Sequence, residues 1–153
     1  ELINRLSQEQ LADIIFEFGE ERRSRRIAKS IKKSNMLITT NDLNDAIRRS
    51  TPPHQRNKTL ARVYQAIRIA VNNEIEKLKN FLEIFLHHLN SKGRLVIISY
   101  HSIEDRLVKN FFRQLKLDNK ANILTKKPLT PSTKEIQSNR RSRSAKIRAL
   151  EKI

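Results

Sequence analysis

The chain has no cysteine and only two glycines, and each shortage excludes a kind of site. Without cysteine it forms no disulfide and offers no thiolate to a metal ion. A loop that cradles the phosphates of a cofactor needs several glycines close together, whereas Gly19 and Gly93 lie far apart. The sequence therefore carries no cofactor loop of this kind.

Long apolar runs and aromatic residues are also scarce. The longest aliphatic run, residues 95–98, is far shorter than the roughly 20 apolar residues of a membrane span, and no secretory signal is present. We therefore expect no membrane span and no membrane partner. The absence of cysteine is compatible with the cytoplasm, which is the location that we predict. Aromatic residues make up 5% of the chain and most lie at core spacing, so no base-stacking platform is obvious. His87 and His88 are helix neighbours that cannot both face one ion, so we predict no metal site.

Positive charge is what the chain has in excess. Its 153 residues include 32 Lys and Arg against 16 Asp and Glu, a formal charge of +16. Such a surplus favours a polyanionic partner, most often nucleic acid, with an anionic membrane as the alternative. The length suits one domain or two small lobes.

Capping and apolar spacing predict helices over the first part of the chain. The capping box of Ser7 and Gln10 begins a helix that ends at Gly19, the expected C′ residue. A second helix covers about residues 20–33, and a third, capped by the threonine at 39 or 40, stops before the two prolines at 52 and 53.

The second part predicts a helical stretch followed by a strand. Apolar residues keep helical spacing over residues 59–90, either as one long helix or as two that break at Asn72 or Asn73. The aliphatic run then predicts a strand at about 94–99, and its lack of polar alternation favours a strand covered on both faces, as in parallel sheets.

Weaker patterns follow this strand. They predict a helix from Ser102, a strand that begins at 123 and ends near 128, one or two helical turns capped by Ser132 and Glu135, and a closing strand within 144–153.

The polar residues at the end of the predicted strand form the candidate site. Open α/β sheets bind ligands outside the carboxyl ends of their strands, so Tyr100 and His101 are candidate rim residues. We assign Ser102 and Asp105 to the cap of the next helix, while Glu104 complements its dipole. The alternative is a hydrolase in which Ser102, His101 and Asp105 act together, but no glycine supports a nucleophile elbow.

Two basic clusters are candidates for contact with phosphates. At helical spacing one face of the second helix is apolar, and the opposite face carries a basic stripe without any Glu, made of Arg22, Arg26, Lys29 and Lys33. A second cluster contains Arg140, Arg141, Arg143, Lys146 and Arg148. An ordinary solvated surface is the alternative for both.

Four segments resemble one known family. They read FGEERRSRRIAKSI, RVYQAIRIAVNNEIEKL, GRLVIISYHSIEDRLVKNFF and NRRSRSAKIRALEK, and they follow each other across nearly the whole chain. In this order they resemble the bacterial small-subunit rRNA cytosine-N4 methyltransferases, the RsmH or MraW family. The lysine and threonine at 58 and 59 stand where relatives often have His-Pro, which affects only how the long helix begins.

The resemblance implies a fold, an activity and a division of the chain. The fold is α/β: the later part of a Rossmann-like class I methyltransferase sheet plus an all-helical insertion domain. Residues 1–58 correspond to the insertion, which is associated with RNA recognition. Residues 59–153 correspond to the C-terminal part of the catalytic domain, with the long helix, the fifth strand at about 94–99, the following helix and closing antiparallel strands. The implied activity is S-adenosylmethionine-dependent N4-methylation of a decoding-centre cytidine in 16S rRNA.

The resemblance also separates this chain from a complete enzyme. The family's glycine-rich cofactor loop, the acidic residue for the ribose and the segment facing the methyl group all precede Glu1 in family order, so we expect a missing N-terminal half. No S-adenosylmethionine contact can be assigned here, and we predict that the chain alone neither binds this cofactor nor methylates rRNA. The implied partners are 16S rRNA and the small ribosomal subunit. The competing interpretation is a non-catalytic basic module that binds RNA or ribosomes.

Overall fold

The computed structural model describes residues 1–34 and 37–153, which form two compact units. The first unit, Glu1–Glu74, is helical, and the second, Ile75–Ile153, combines helices with a small sheet. The mixed α/β class expected from the sequence is confirmed. The division at 58 and 59 concerns the parts of a complete enzyme and stays a prediction.

Helices build the first unit around an aliphatic core. They are α1 (Leu2–Arg5), α2 (Gln8–Gly19), α3 (Ser24–Lys32), α4 (Thr40–Ser50), a short 3-10 helix (Pro53–Gln55) and α5 (Arg56–Asn72). The predicted box of Ser7 and Gln10 caps α2, and Thr39 with Asp42 caps α4. The fully buried side chains include Leu11, Ile27 and Val63. They come from three helices, so burial of these apolar faces holds the unit together.

The end of α2 differs from the sequence prediction. The left-handed residue is Glu20, at φ 49°, and Gly19 is the last helical residue. A Cβ atom on Gly19 would lie 2.8 Å from the backbone oxygen of Arg62 and 3.3 Å from Cβ of Ala66 in α5. Glycine is needed here because α2 and α5 approach closely, and not because the helix ends in a left-handed glycine.

A buried carboxylate then fixes the turn between α2 and α3. Glu21 is only 4% exposed and lies 3.1 Å from Nη1 of Arg62, and it accepts a hydrogen bond from the hydroxyl of Thr59 at 3.4 Å. It also accepts from the backbone N–H of Arg23 at 3.1 Å. These bonds delay the start of α3 to Ser24, so the predicted helical start at residue 20 is wrong.

The helical stretch after residue 59 is divided in two. Asn73 has left-handed backbone at φ 53° and ends α5, and Glu74–Ile84 forms α6. The alternative of two helices is therefore the correct one. The first of them already begins at Arg56, three residues before the predicted start.

The second unit continues from α6 into a small sheet. Its further elements are a 3-10 helix (Phe85–His88), β1 (Arg94–Ser99), α7 (Ser102–Leu117), β2 (Ala121–Ile123), α8 (Thr133–Ser138), a 3-10 helix (Arg140–Ser144) and β3 (Lys146–Lys152). The bounds of β1 and the Ser132 cap of α8 agree with the prediction. The strand expected over 123–128 lies earlier, at Ala121–Ile123.

Within the described residues the sheet has the order β1-β3-β2, and all pairs are antiparallel. The closing antiparallel strand is thereby confirmed. Leu95 and Ile97 pack in a core with residues of α6 and α7, whereas Val96 and Ile98 are 58% and 51% exposed. The expectation that β1 is covered on both faces is wrong for this chain, since the described residues cover one face.

Candidate functional site

The turn from β1 into α7 is capped by histidine. His101 has extended backbone, at φ −140° and ψ 164°, and its Nδ1 accepts a hydrogen bond from the backbone N–H of Glu104 at 3.3 Å. The predicted cap by Ser102 and Asp105 is therefore wrong by one position. Ser102 is the first helical residue, and Asp105 turns into the protein instead of back to the cap.

Glu104 completes the cap from the third helical position. Its carboxylate accepts a hydrogen bond from the backbone N–H of Tyr100 at 3.0 Å, and Oε1 lies 3.3 Å from Nε2 of His101. Burial raises the pKa of Glu104, but the hydrogen bonds from His101 and from the Tyr100 N–H outweigh it, so the pKa is lowered. Glu104 is thus a carboxylate at neutral pH, and the cap is reciprocal.

The two candidate rim residues differ in exposure. The side chain of His101 is 6% exposed, while Tyr100 is 55% exposed. Because Nδ1 of His101 accepts from an N–H, the cap needs its lone pair and places the proton of the neutral ring on Nε2. His101, expected from the sequence only as a rim candidate, is therefore the residue that caps α7. A rim role stays a prediction, for which Tyr100 is the accessible residue.

Asp105 belongs to a buried ion pair that joins α7 to β3. Its Oδ1 and Oδ2 accept hydrogen bonds from Nε and Nη2 of Arg148 at 2.6 and 3.2 Å, and Nζ of Lys146 lies 3.4 Å from Oδ2. Burial raises the pKa of Asp105. The hydrogen bonds and positive charges of Arg148 and Lys146 have the opposite and larger effect, so the pKa is lowered overall. The sequence analysis names both cations as candidates for phosphate contact, with an ordinary surface as the alternative, and in the structure both contact Asp105.

This arrangement also removes the hydrolase alternative. Nδ1 of His101 is occupied by the N–H of Glu104, and Asp105 is held by Arg148. A triad needs a carboxylate that orients the histidine and a histidine nitrogen free to take the serine proton. Among the described residues, Asp105 does not perform the first role for His101.

The basic stripe lies at the surface, as predicted. Ser24, Ile27, Ala28 and Ile31 are buried, and Arg22, Arg26, Lys29 and Lys33 are exposed. Within the described part of the chain none of these four cations forms an ion pair. Arg22 lies in the turn before α3 and not in the helix. The segregation of charge from the core makes α3 strongly amphipathic.

A cleft of about 420 Å³ lies between this stripe and α4. Its lining brings together residues of both helices: Arg26, Lys29, Ser30, Lys33, Arg49 and Ser50. The hydroxyl of Ser30 donates to the carbonyl of Ala46 at 2.6 Å and thereby ties α3 to α4. Sequence analysis missed Arg49, because periodicity within one helix does not report a cation from another. The only available signal was the basic pair at the end of α4.

The second cluster keeps three of its five predicted cations at the surface. Arg140, Arg141 and Arg143 lie on a 3-10 helix and are exposed, while Ser142 between them is buried. The side chain of Asn139 accepts from the backbone N–H of Arg141 at 3.2 Å and caps this turn. The three arginines therefore project from one short, capped element.

Comparison with known proteins assigns the chain to a family. The model of the MraW methylase family matches residues 1–153. The chain belongs to this family. It is 47% identical to the ribosomal RNA small subunit methyltransferase H of Coprothermobacter proteolyticus over 99% of the chain, and 50% identical to that of Prochlorococcus marinus subsp. pastoris over 97%. It is 46% identical to that of Cyanothece sp. over its full length.

These relatives are longer proteins. The chain covers 52%, 51% and 51% of the three, so it spans about half the length of the relatives it matches. In the part of the chain that the structure describes, no helix is both long and apolar enough to cross a membrane.

Proposed function

We propose that this chain is the RNA-facing part of a methyltransferase that transfers a methyl group from S-adenosylmethionine to N4 of a decoding-centre cytidine in 16S rRNA. The observation that carries the proposal is the match of all 153 residues to a methylase family. The relatives named above are ribosomal RNA small subunit methyltransferases, which supports the RNA of the small ribosomal subunit as the partner. The location that we propose is the cytoplasm. In this proposal residues 1–58 form the RNA-recognition insertion, and residues 59–153 return to the catalytic domain.

The residues of this chain do not fit the cofactor. Both glycines have packing roles: a Cβ on Gly19 would meet the carbonyl of Arg62, and one on Gly93 would lie 2.7 Å from that of Asn90. Neither lies in a glycine-rich loop of the kind that admits a cofactor. We therefore place the cofactor site in the remainder that the longer relatives possess.

Methylation at N4 makes specific demands on the protein. The exocyclic amine is a weak nucleophile because its lone pair is delocalised into the ring, so rate must come from placement and from acceptors that localise the pair. The cytidine must also leave its stack. Tyr100, exposed where β1 ends, has a ring that can line the pocket of the displaced base, and the cap formed by His101 and Glu104 fixes the backbone beneath it.

Tyr100 is tested in the complete enzyme by two substitutions. Tyr100→Ala should lower turnover strongly, since it removes the ring, while Tyr100→Phe should retain most of it because stacking is kept. Methyl transfer to small subunits is measured with radiolabelled cofactor, and thermal unfolding serves as control. Equal activity of both variants and the unchanged protein would exclude Tyr100 from the site.

The exposed cations of α3 supply the RNA contact in this proposal. Arg26→Glu with Lys29→Glu in the complete enzyme should weaken rRNA binding and lower the slope of log affinity against log salt by about 1–2. The control is Lys77→Glu with Lys79→Glu, which changes the net charge equally on the exposed surface of α6. If both pairs alter the slope equally, the effect is general charge and α3 is not the contact.

A non-catalytic RNA-binding module is the competing function, and the free cations are the observation in its favour. The two are separated by titrating S-adenosylmethionine into the complete protein and into this chain in a calorimeter. We expect binding by the former only. Binding by the chain alone would contradict our placement of the cofactor site, and binding by neither would favour the module.

A further inference from the structure

A cleft in the second unit combines a cationic rim with an apolar floor. Its volume is about 670 Å³, within the range of ligand pockets. The cations that line it are Lys109, Arg113, Lys116, Lys126 and Arg148, and none of its lining residues is acidic. Neither the predicted basic stripe nor the arginine cluster includes the first four of these residues.

The rim is a track along one helix. Lys109, Arg113 and Lys116 follow at i, i+4 and i+7, so they share one face of α7 and extend over roughly 10 Å of its axis. Lys126 adds a fourth cation from the segment after β2. None of the four forms an ion pair with a described carboxylate. A single free phosphate would neutralise one end of such a track, whereas a polyanionic chain can follow it.

The floor and the inner end supply other contacts. Phe112 and Ile123 line the floor, and Leu117 is 75% exposed. The hydroxyl oxygen of Thr125 accepts from the N–H of Ala149 at 2.9 Å, which leaves its own hydrogen for a ligand. Arg148 also lines the cleft, and its bonds to Asp105 hold it in place at the inner end.

We propose that this cleft binds a single-stranded RNA segment, with its phosphates on the track along α7 and one base or ribose against the apolar floor. Charge complementarity selects this occupant, because four lining cations have no described acidic partner and three of them follow one helix face at regular spacing. The regularly spaced phosphates of a single strand match such a track, and its bases and riboses can contact the apolar floor. The inference rests on the proposed function for RNA as the partner. The cleft would be an additional RNA contact within residues 59–153, the part that we propose belongs to the catalytic domain.

The test measures binding of a labelled single-stranded RNA of about ten nucleotides by fluorescence anisotropy over a range of salt concentrations. Arg113→Glu with Lys116→Glu should weaken binding about tenfold and lower the salt slope by about 1.4, twice the single-strand value per phosphate. Both residues are exposed, and a thermal unfolding curve verifies the fold. Lys77→Glu with Lys79→Glu is the control of equal charge and should change both quantities much less.

Two further measurements are needed. One separates the contribution of the cations to binding from that of the apolar floor, and the other distinguishes RNA from a free nucleotide as the ligand. Leu117→Ser should weaken binding about threefold with an unchanged salt slope, since it removes apolar contact and no charge. Cytidine monophosphate should compete only at far higher concentration than RNA. Competition at the concentration of the RNA itself would overturn the RNA segment in favour of a mononucleotide.

The outcomes distinguish this site from the α3 surface. If Arg26→Glu with Lys29→Glu weakens binding but the Arg113 and Lys116 pair behaves as the control does, the cleft proposal falls and the RNA contact of α3 stands. If only the α7 pair weakens binding, the cleft stands and the α3 assignment falls. If neither differs from the control, both fall.

Discussion

The ion pair between Asp105 and Arg148 should be a main determinant of the stability of the second unit. The side chains are 12% and 9% exposed, and the two hydrogen bonds connect the first turn of α7 to the middle of β3. In Asp105→Asn the size of the residue is kept and its charge is lost. Arg148 is then a buried cation whose nearest remaining partner is a neutral amide.

The expected magnitude follows from the cost of an unpaired buried charge. Breaking a buried pair by removing one partner costs about 3–5 kcal/mol. Because asparagine can still accept one of the two hydrogen bonds, we expect about 3 kcal/mol, which corresponds to roughly 150-fold in an equilibrium constant. Replacing both partners, as in Asp105→Leu with Arg148→Met, should recover most of this loss, since no charge is then buried.

Hydrogen exchange of the β3 amides is the suitable assay, because it reports opening of the second unit alone. Asp105→Asn should speed exchange in β3 by roughly 150-fold at neutral pH. Asp118→Asn is the control, since Asp118 pairs with Lys120 at 3.8 Å on the surface and such pairs contribute little. Equal exchange in the two variants would refute the assignment of Asp105 as a buried, charged partner.

The same pair predicts a dependence on pH with a definite sign. The pKa of Asp105 is lowered in the folded state, so its stabilisation is fully present above the unfolded pKa, about 3.9. It is lost as the pH falls through the folded pKa. The difference in exchange between the unchanged chain and Asp105→Asn should therefore be constant near neutral pH and shrink below about pH 4.

Three other substitutions test packing, capping and the open face of the sheet. Gly19→Ala should destabilise the first unit by about 1–3 kcal/mol in thermal unfolding, because its Cβ meets the carbonyl of Arg62 at 2.8 Å; a gain in stability would contradict this contact. His101→Ala should cost about 1 kcal/mol and His101→Asn much less, since asparagine is a good cap; if His101→Asn abolishes methylation in the complete enzyme while stability is kept, His101 also acts at the rim. Val96→Thr with Ile98→Thr should make the chain more soluble but destabilise the complete protein, and equal stability of the latter would show that this face stays open.

The sequence predicted local structure correctly where the interacting residues lie within one helical turn of each other. The caps at Ser7 and Ser132 were readable because each acts on an N–H three residues later. The cap of α7 was misread because serine is the commoner cap and histidine preceded it. The position of Asp105 is fixed by a residue that is distant in sequence, since Asp105 binds Arg148, 43 residues later in the chain. No pattern around residues 99–106 reports that partner.

For the candidate RNA surfaces, too, the sequence predicted what one helix determines and missed what two elements form together. Periodicity predicted that the stripe on α3 faces solvent, because the apolar residues of one helix define both of its faces. It did not predict Arg49, which α4 brings to the same cleft, nor Lys126, which approaches the track on α7 from a segment after β2. A site formed by two elements can be predicted only when the packing of those elements is known. The composition shows how many cations the chain has but not which of them lie together.

The aliphatic run in β1 shows what such a pattern can and cannot establish. Four consecutive apolar residues demand burial on both faces of a strand, and the described residues meet that demand for Leu95 and Ile97 but not for Val96 and Ile98. The sequence pattern predicts that both faces of the strand are buried, but it does not identify the residues that cover them. In the function proposed above, the remainder of a complete enzyme covers this face, and the relatives, of which the chain spans about half, are long enough to possess such a remainder. Tyr100, which follows β1, is a rim residue only in the complete enzyme proposed above, so the rim must be tested there. The two basic surfaces consist of residues of this chain alone and can be tested in it.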